Sequence, residues 1–154
     1  MEIIEFKEEY LDVVYDIQQK SFMPLFEKYQ DIDTNPIFET KEIILEKYTK
    51  TGVHGYVFQY EDTIVGAVRV TIYEDKSAKI SNLCVLPEFQ GMGIAQKVMH
   101  TLEKKYPDVK KWFLWTILQE KGNCYLYEKM KYEHRGDPII VNPLMTLIYY
   151  EKKL

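Results

Sequence analysis

Between Leu83 and Tyr106 the chain passes from an unbroken apolar run into a helix by way of two glycines, and few folds accommodate that passage. Leu83-Cys84-Val85-Leu86 is apolar at every position, which fits a strand buried on both faces or one broken by a bulge. Pro87 ends the run, and Glu88-Phe89-Gln90 leads into Gly91-Met92-Gly93. Beyond them Ile94, Val98 and Leu102 form one i, i+4 row with Ala95, Met99 and Tyr106 alongside. The pattern predicts an amphipathic helix over 91–106, closed by Pro107. The first turn of a helix carries amide N–H groups with no intrahelical partner and a partial positive charge. Gly91 and Gly93 keep side chains away from those donors and permit unusual backbone angles. Two readings fit, a plain structural turn or a cradle for a phosphate or pyrophosphate.

Two other phosphate-binding patterns fail against the letters. A P-loop needs Gly-x-x-x-x-Gly-Lys-Ser/Thr, and no Lys followed by Ser or Thr comes after Gly93. A dinucleotide fingerprint needs Gly or Ala where Gln96 stands and an acidic residue ending the next strand, and Gln119-Glu120 comes too late for that.

The remaining elements follow from periodicity. Ile3, Ile4 and Phe6 make a short strand, and Leu11, Val14, Tyr15, Ile17 and Phe22 mark a helix over 8–22 that Pro24 should interrupt. Residues 23–38 read as a loop or broken helix. Thr40 is the N-cap of a second helix reaching Lys50, with Gly52 as its stop. Residues 54–60 and 63–73 suit a hairpin around Glu61-Asp62, with Ile64, Gly66, Val68, Val70 and Ile72 on one face of its second strand. Residues 77–86 and 111–118 are further strands, 122–130 a short helix, and 132–141 with 146–152 a closing antiparallel pair. The order predicts one mixed α/β or α+β sheet in a single domain, 1–154.

Composition narrows the classes. With 46% hydrophobic and 29% charged residues the chain has the means to form a packed core, so disorder is set aside. A net charge of −4, with basic residues only in short pairs such as Lys104-Lys105 and Lys110-Lys111, gives no localised positive field, so no nucleic-acid partner is expected. No apolar run approaches the roughly 20 residues of a membrane span, and the charged N-terminus has no signal-peptide character. No membrane partner and a cytoplasmic location are the expectations. Cys84 and Cys124 read as small apolar residues, and His54, His100 and His134 are spaced for no metal site.

Gln90-Gly91-Met92-Gly93-Ile94-Ala95 matches the signature Gln/Arg-x-x-Gly-x-Gly/Ala, and Asn123-Cys124-Tyr125-Leu126-Tyr127-Glu128-Lys129-Met130-Lys131-Tyr132 looks like a second motif of the same family. In both, and in the strand between them, the chain resembles the GNAT (GCN5-related) N-acetyltransferases. Lys131 departs from the usual Gly, which bears on the helix end, and Ala95 takes a place more often held by Gly. The resemblance implies a mixed, mostly antiparallel central sheet of about six to seven strands flanked by helices. It implies that acetyl-CoA is the co-substrate, that no metal takes part, and that the acetyl group passes directly to a primary amine on a small molecule or peptide.

By the same resemblance, the amides of Gly91, Met92, Gly93, Ile94 and Ala95 would hold the coenzyme pyrophosphate, with Gln90 shaping the loop. The free edge of Leu83, Cys84 and Val85 would pair with the pantetheine arm, Asn123 would lie near that arm, and Tyr127 would serve as the general acid toward the departing thiolate. Glu120, Glu74 and Asp75 are candidate bases, beside a water relay past Ser81 or Asn82, and none is singled out. Residues 22–38 and 139–144 would set acceptor choice. A homodimer is compatible with the resemblance, and no residue pattern fixes it. The alternative is a catalytically inactive acyl-CoA sensor or interaction module on the same fold.

Overall fold

The apolar runs pair into one seven-stranded sheet, which a computed structural model describes over all residues 1–154. Its strands are β1 (Glu2–Glu5), β2 (Val53–Tyr60), β3 (Thr63–Ile72), β4 (Ser77–Val85), β5 (Lys111–Ile117), β6 (Glu133–Asn142) and β7 (Met145–Lys153). The helices are α1 (Leu11–Tyr29), α2 (Lys41–Thr49), α3 (Ile94–Lys105) and α4 (Lys121–Lys129). The strand order is β1-β2-β3-β4-β5-β7-β6, and every neighbouring pair is antiparallel except β4 with β5. The mostly antiparallel mixed sheet agrees with the expected fold class.

Each face of the sheet buries its own cluster. Val14 and Ile17 of α1 meet Ile44 and Tyr48 of α2 over Val57, Ala67 and Cys84. On the other face Ile94, Val98 and Leu102, the row anticipated for α3, pack with Met99, Trp112, Leu114 and Tyr150. The expected face assignment in β3 fails at one point. A register shift opposite Phe58/Gln59 puts Val65 with Val68 and Val70, while Ile64 joins Ala67 on the α1 side. A bulge inserts one residue and exchanges the faces on either side of it.

Two further departures concern helix ends. α1 runs through Pro24 to Tyr29. Pro24 is exposed, so water can take the Lys20 carbonyl that the ring leaves unbonded. Downstream, Tyr29 donates to Glu120, and Asn142 Nδ2 donates to the Tyr29 carbonyl at 2.9 Å, so tertiary contacts hold the extra turn. α3 begins at Ile94 rather than Gly91, because Gly91 and Gly93 adopt left-handed φ of +78° and +77°. α2 starts as expected, with Thr40 Oγ1 accepting from the Ile43 amide at 3.2 Å.

The end of α4 is a Schellman motif. The Tyr132 amide donates to the Tyr127 carbonyl at 2.9 Å and the Lys131 amide to the Glu128 carbonyl at 3.0 Å, with Lys131 at φ +75°. That position favours glycine, and a non-glycine residue there costs on the order of 1–2 kcal/mol, partly offset by glycine's larger loss of chain entropy. Lys131→Gly should therefore stabilise the fold by about 0.5–1 kcal/mol and raise Tm by about 2–3 °C in a thermal melt. An unchanged or lower Tm would show that Lys131 is not strained.

Candidate active site

The site originates in a failure of pairing. β4 and β5 bond only at Ser77–Lys111, Ala78–Trp112 and Lys79–Phe113, and then they separate. On its other side β4 slips register against β3 between Ala67 and Arg69, where Asn82 takes φ +50°. The ambiguous apolar run is thus the second half of a bulged strand whose outer edge faces a slot.

Two cavities occupy the slot, sharing Leu83 of β4, Asn123 and Tyr127 of α4, and Phe22 and Leu25 of α1. The larger, about 570 Å³, runs over the loop between β4 and α3. Ten of the expected site residues line it: Leu83, Cys84, Val85, Gln90, Gly91, Gly93, Ile94, Ala95, Asn123 and Tyr127. The exception is Met92, which is 46% exposed and lines neither cavity.

The loop leaves its amides without partners. No carbonyl of the chain accepts from the amides of residues 91 to 96, and the first helical bond is Lys97 to the Gly93 carbonyl at 3.1 Å. A Cβ added at Gly91 or Gly93 would meet nothing within 4 Å, so the glycines are required by their φ and the space above them is empty of protein. Gln90 Nε2 donates to the Val85 carbonyl at 2.9 Å and Ser21 Oγ to the same oxygen at 3.2 Å. Gln90 therefore ties the loop to the end of β4, and one acceptor on the strand edge is already taken.

Asn123 and Tyr127 are four residues apart on α4, so both face the slot. The Tyr127 ring packs 6.0 Å from Tyr150 and 6.3 Å from Tyr132. Burial, with a smaller contribution from Cys124, pushes its phenol up to about 12. Burial likewise pushes the Cys84 thiol up to about 12, and its Sγ lies 3.7 Å from the Ala67 carbonyl, as suits a small packing residue. Of the candidate bases, Glu120 lines the larger cavity but accepts from Tyr29 and from Lys28 Nζ at 3.2 Å. Asp75 caps Ser77 at the opposite end of β4, accepting from its amide at 3.0 Å and its Oγ at 2.6 Å, and neither it nor Glu74 lines either cavity.

A model of the acetyltransferase (GNAT) family matches residues 11–132, most of the chain. The chain belongs to that family. Solved structures share this GNAT fold. The smu.2055 protein of Streptococcus mutans UA159 has a TM-score of 0.82 at 15% identity over 99% of both chains. A ribosomal-protein-alanine N-acetyltransferase from Brucella melitensis reaches 0.78 at 18% identity over 100% of each. A GNAT family acetyltransferase from Elizabethkingia anophelis, solved with acetyl-CoA bound, reaches 0.71 at 20% identity over 99% of this chain and 97% of that one. No curated protein matches in sequence.

The smaller cavity of this GNAT chain, about 190 Å³, lies between the α1–α2 connection, β5 and β7. Phe22, Leu25, Asp31, Thr34, Asn35 and Pro36 of the expected acceptor segment line it, whereas Tyr29 is spent on a bond to Glu120 and Phe26 and Phe38 pack on each other at 5.2 Å. The other expected segment, 139–144, contributes nothing; Met145 and Leu147 do so instead. Trp115, Thr116 and Ile117 of β5 also line the cavity. Nothing in their own letters marks them, because they are uncovered by the separation from β4.

Proposed function

We propose that the protein is an N-acetyltransferase that moves the acetyl group of acetyl-CoA to a primary amine by direct attack. The observation that carries this reading is the row of unpartnered amides at residues 91–96, opening onto the larger cavity at the N-terminus of α3. Such a nest suits the coenzyme diphosphate, and the cavity continues from it along the β4 edge to Tyr127. Because Gln90 and Ser21 occupy the Val85 carbonyl, pairing with the pantetheine amides falls to the part of the edge nearer the bulge.

Acetyl-CoA supplies the thioester that the amine attacks. Asn123 borders the arm, and Tyr127, at the junction of the two cavities, donates a hydrogen bond where negative charge develops on sulfur. With its phenol pushed up to about 12, transfer of its proton to a thiolate of pKa about 8.5 is uphill by roughly 3.5 units. Charge stabilisation is therefore the role we assign it, rather than complete proton transfer.

Thermal shift with acetyl-CoA, beside thiol release with a panel of amines, tests the reading. A raised Tm together with amine-dependent release is expected. Binding without release for any amine would favour an acyl-CoA sensor on the same fold, and no thermal shift would remove the coenzyme site altogether.

A further inference from the structure

Resting on that reading, we infer that the acceptor is an apolar primary amine with no acidic group, an arylalkylamine of about the size of 2-phenylethylamine. The smaller cavity beyond Tyr127 and Leu83 has 17 lining residues, ten of them hydrophobic, and contains no Lys, Arg or His. Its one charged group is Asp31, buried, whose carboxylate accepts from the Thr34 amide at 3.0 Å and from the Thr34 hydroxyl. An acceptor carrying a carboxylate or phosphate would bring that charge into a space with no cation to pair it and with Asp31 to repel it. The charge pattern thus selects against amino acids and sugar phosphates.

Size and surface select further. About 190 Å³ lies below the roughly 300–1,000 Å³ of sites for drug-sized ligands, and suits a single ring on a short arm. Met145 and Leu147 add apolar lining, and the one group that could pair with the second ammonium of a diamine is Asp31, each of whose oxygens already accepts from Thr34. A peptide would bring a backbone donor and acceptor with each residue, more than the side chains of Asn82, Thr116 and Asn123 in the lining can pair. Trp115 presents a flat surface at the cavity, 37% exposed and held edge-on to Tyr149 at 5.4 Å, where an aromatic ring of the acceptor can stack.

The test compares 2-phenylethylamine, phenylalanine, 1,4-diaminobutane and a glycyl tripeptide as acceptors for thiol release from acetyl-CoA. We expect kcat/KM for 2-phenylethylamine to exceed each of the others on the order of 100-fold, the scale set by leaving a charged or polar group unpaired. Trp115→Ala should raise the KM for 2-phenylethylamine about tenfold with the acetyl-CoA KM unchanged, and Trp115→Phe should recover most of the loss. A readout independent of turnover is tryptophan fluorescence with coenzyme A present, since Trp112 is fully buried and Trp115 borders the cavity. 2-Phenylethylamine should shift the emission, whereas phenylalanine should not. Equal or faster release with phenylalanine, the diamine or the tripeptide overturns the inference and leaves acetyl transfer standing. Coenzyme binding without release from any of the four also overturns it. No thermal shift with acetyl-CoA and no release from any amine instead defeats the reading on which it rests.

Discussion

Gly93→Val should weaken acetyl-CoA binding about 100-fold in a calorimetric titration, in a chain that still folds. Gly93 sits at φ +77°, where a β-branched residue costs on the order of 1–3 kcal/mol. No atom lies within 4 Å of the position its Cβ would take, so the penalty is conformational and not a clash. The backbone relieves it by leaving the left-handed region, which turns the neighbouring amides away from the anion. Each hydrogen bond to a charged group is worth about 1.5–3 kcal/mol, and the loss of one or two corresponds to about 100-fold in affinity. Gly136 provides the control, since it has φ +75°, equal open space and no place in either cavity. Gly136→Val should strain the chain to a similar degree and leave the affinity unchanged. Equal losses in the two variants would mean that the 91–96 loop has no special part in binding.

Tyr127→Phe should lower kcat by about 100-fold, the lower end of what losing one hydrogen-bond donor to developing negative charge costs, with the acetyl-CoA affinity held within about twofold. The ring supplies the packing against Tyr132 and Tyr150, and phenylalanine keeps it. Only the hydroxyl is lost. The sign of the pH dependence follows from the raised phenol. A group pushed up to about 12 stays protonated across the neutral and mildly alkaline range, so it remains a donor there. The rate should accordingly rise with pH as the acceptor amine loses its proton, with no fall attributable to Tyr127 up to about pH 10–11. A descending limb between pH 7 and 9 that vanishes in Tyr127→Phe would contradict this assignment. Unchanged kcat would remove Tyr127 from the chemistry.

What the letters disclosed of this site, and what they withheld, divides along a physical line. The nest was legible because its signal is local: two glycines, a preceding proline turn and an amphipathic helix suffice to imply unpartnered amides. Tyr127 and Asn123 were legible only together with the family pattern, since thirteen tyrosines share the chain and periodicity distinguishes none of them. The continuation of α1 through Pro24 was not legible, because it depends on Tyr29 reaching Glu120 and Asn142, partners more than ninety residues away. The walls of the smaller cavity were hidden for the same reason. Trp115 and Ile117 look like any central strand until β5 parts from β4 after three residue pairs. Lys131 was the opposite case, where a departure from the family pattern pointed to the helix end, and the backbone there proves to be left-handed.

The most direct test is an amide-resolved NMR titration of the ¹⁵N-labelled chain with coenzyme A. Specific, saturable shifts of the Gly91, Gly93, Ile94 and Ala95 amides, accompanied by Leu83 on the β4 edge, are the expected result. Binding that left those four amides unmoved while shifting residues elsewhere would contradict the assignment of this loop as the diphosphate site.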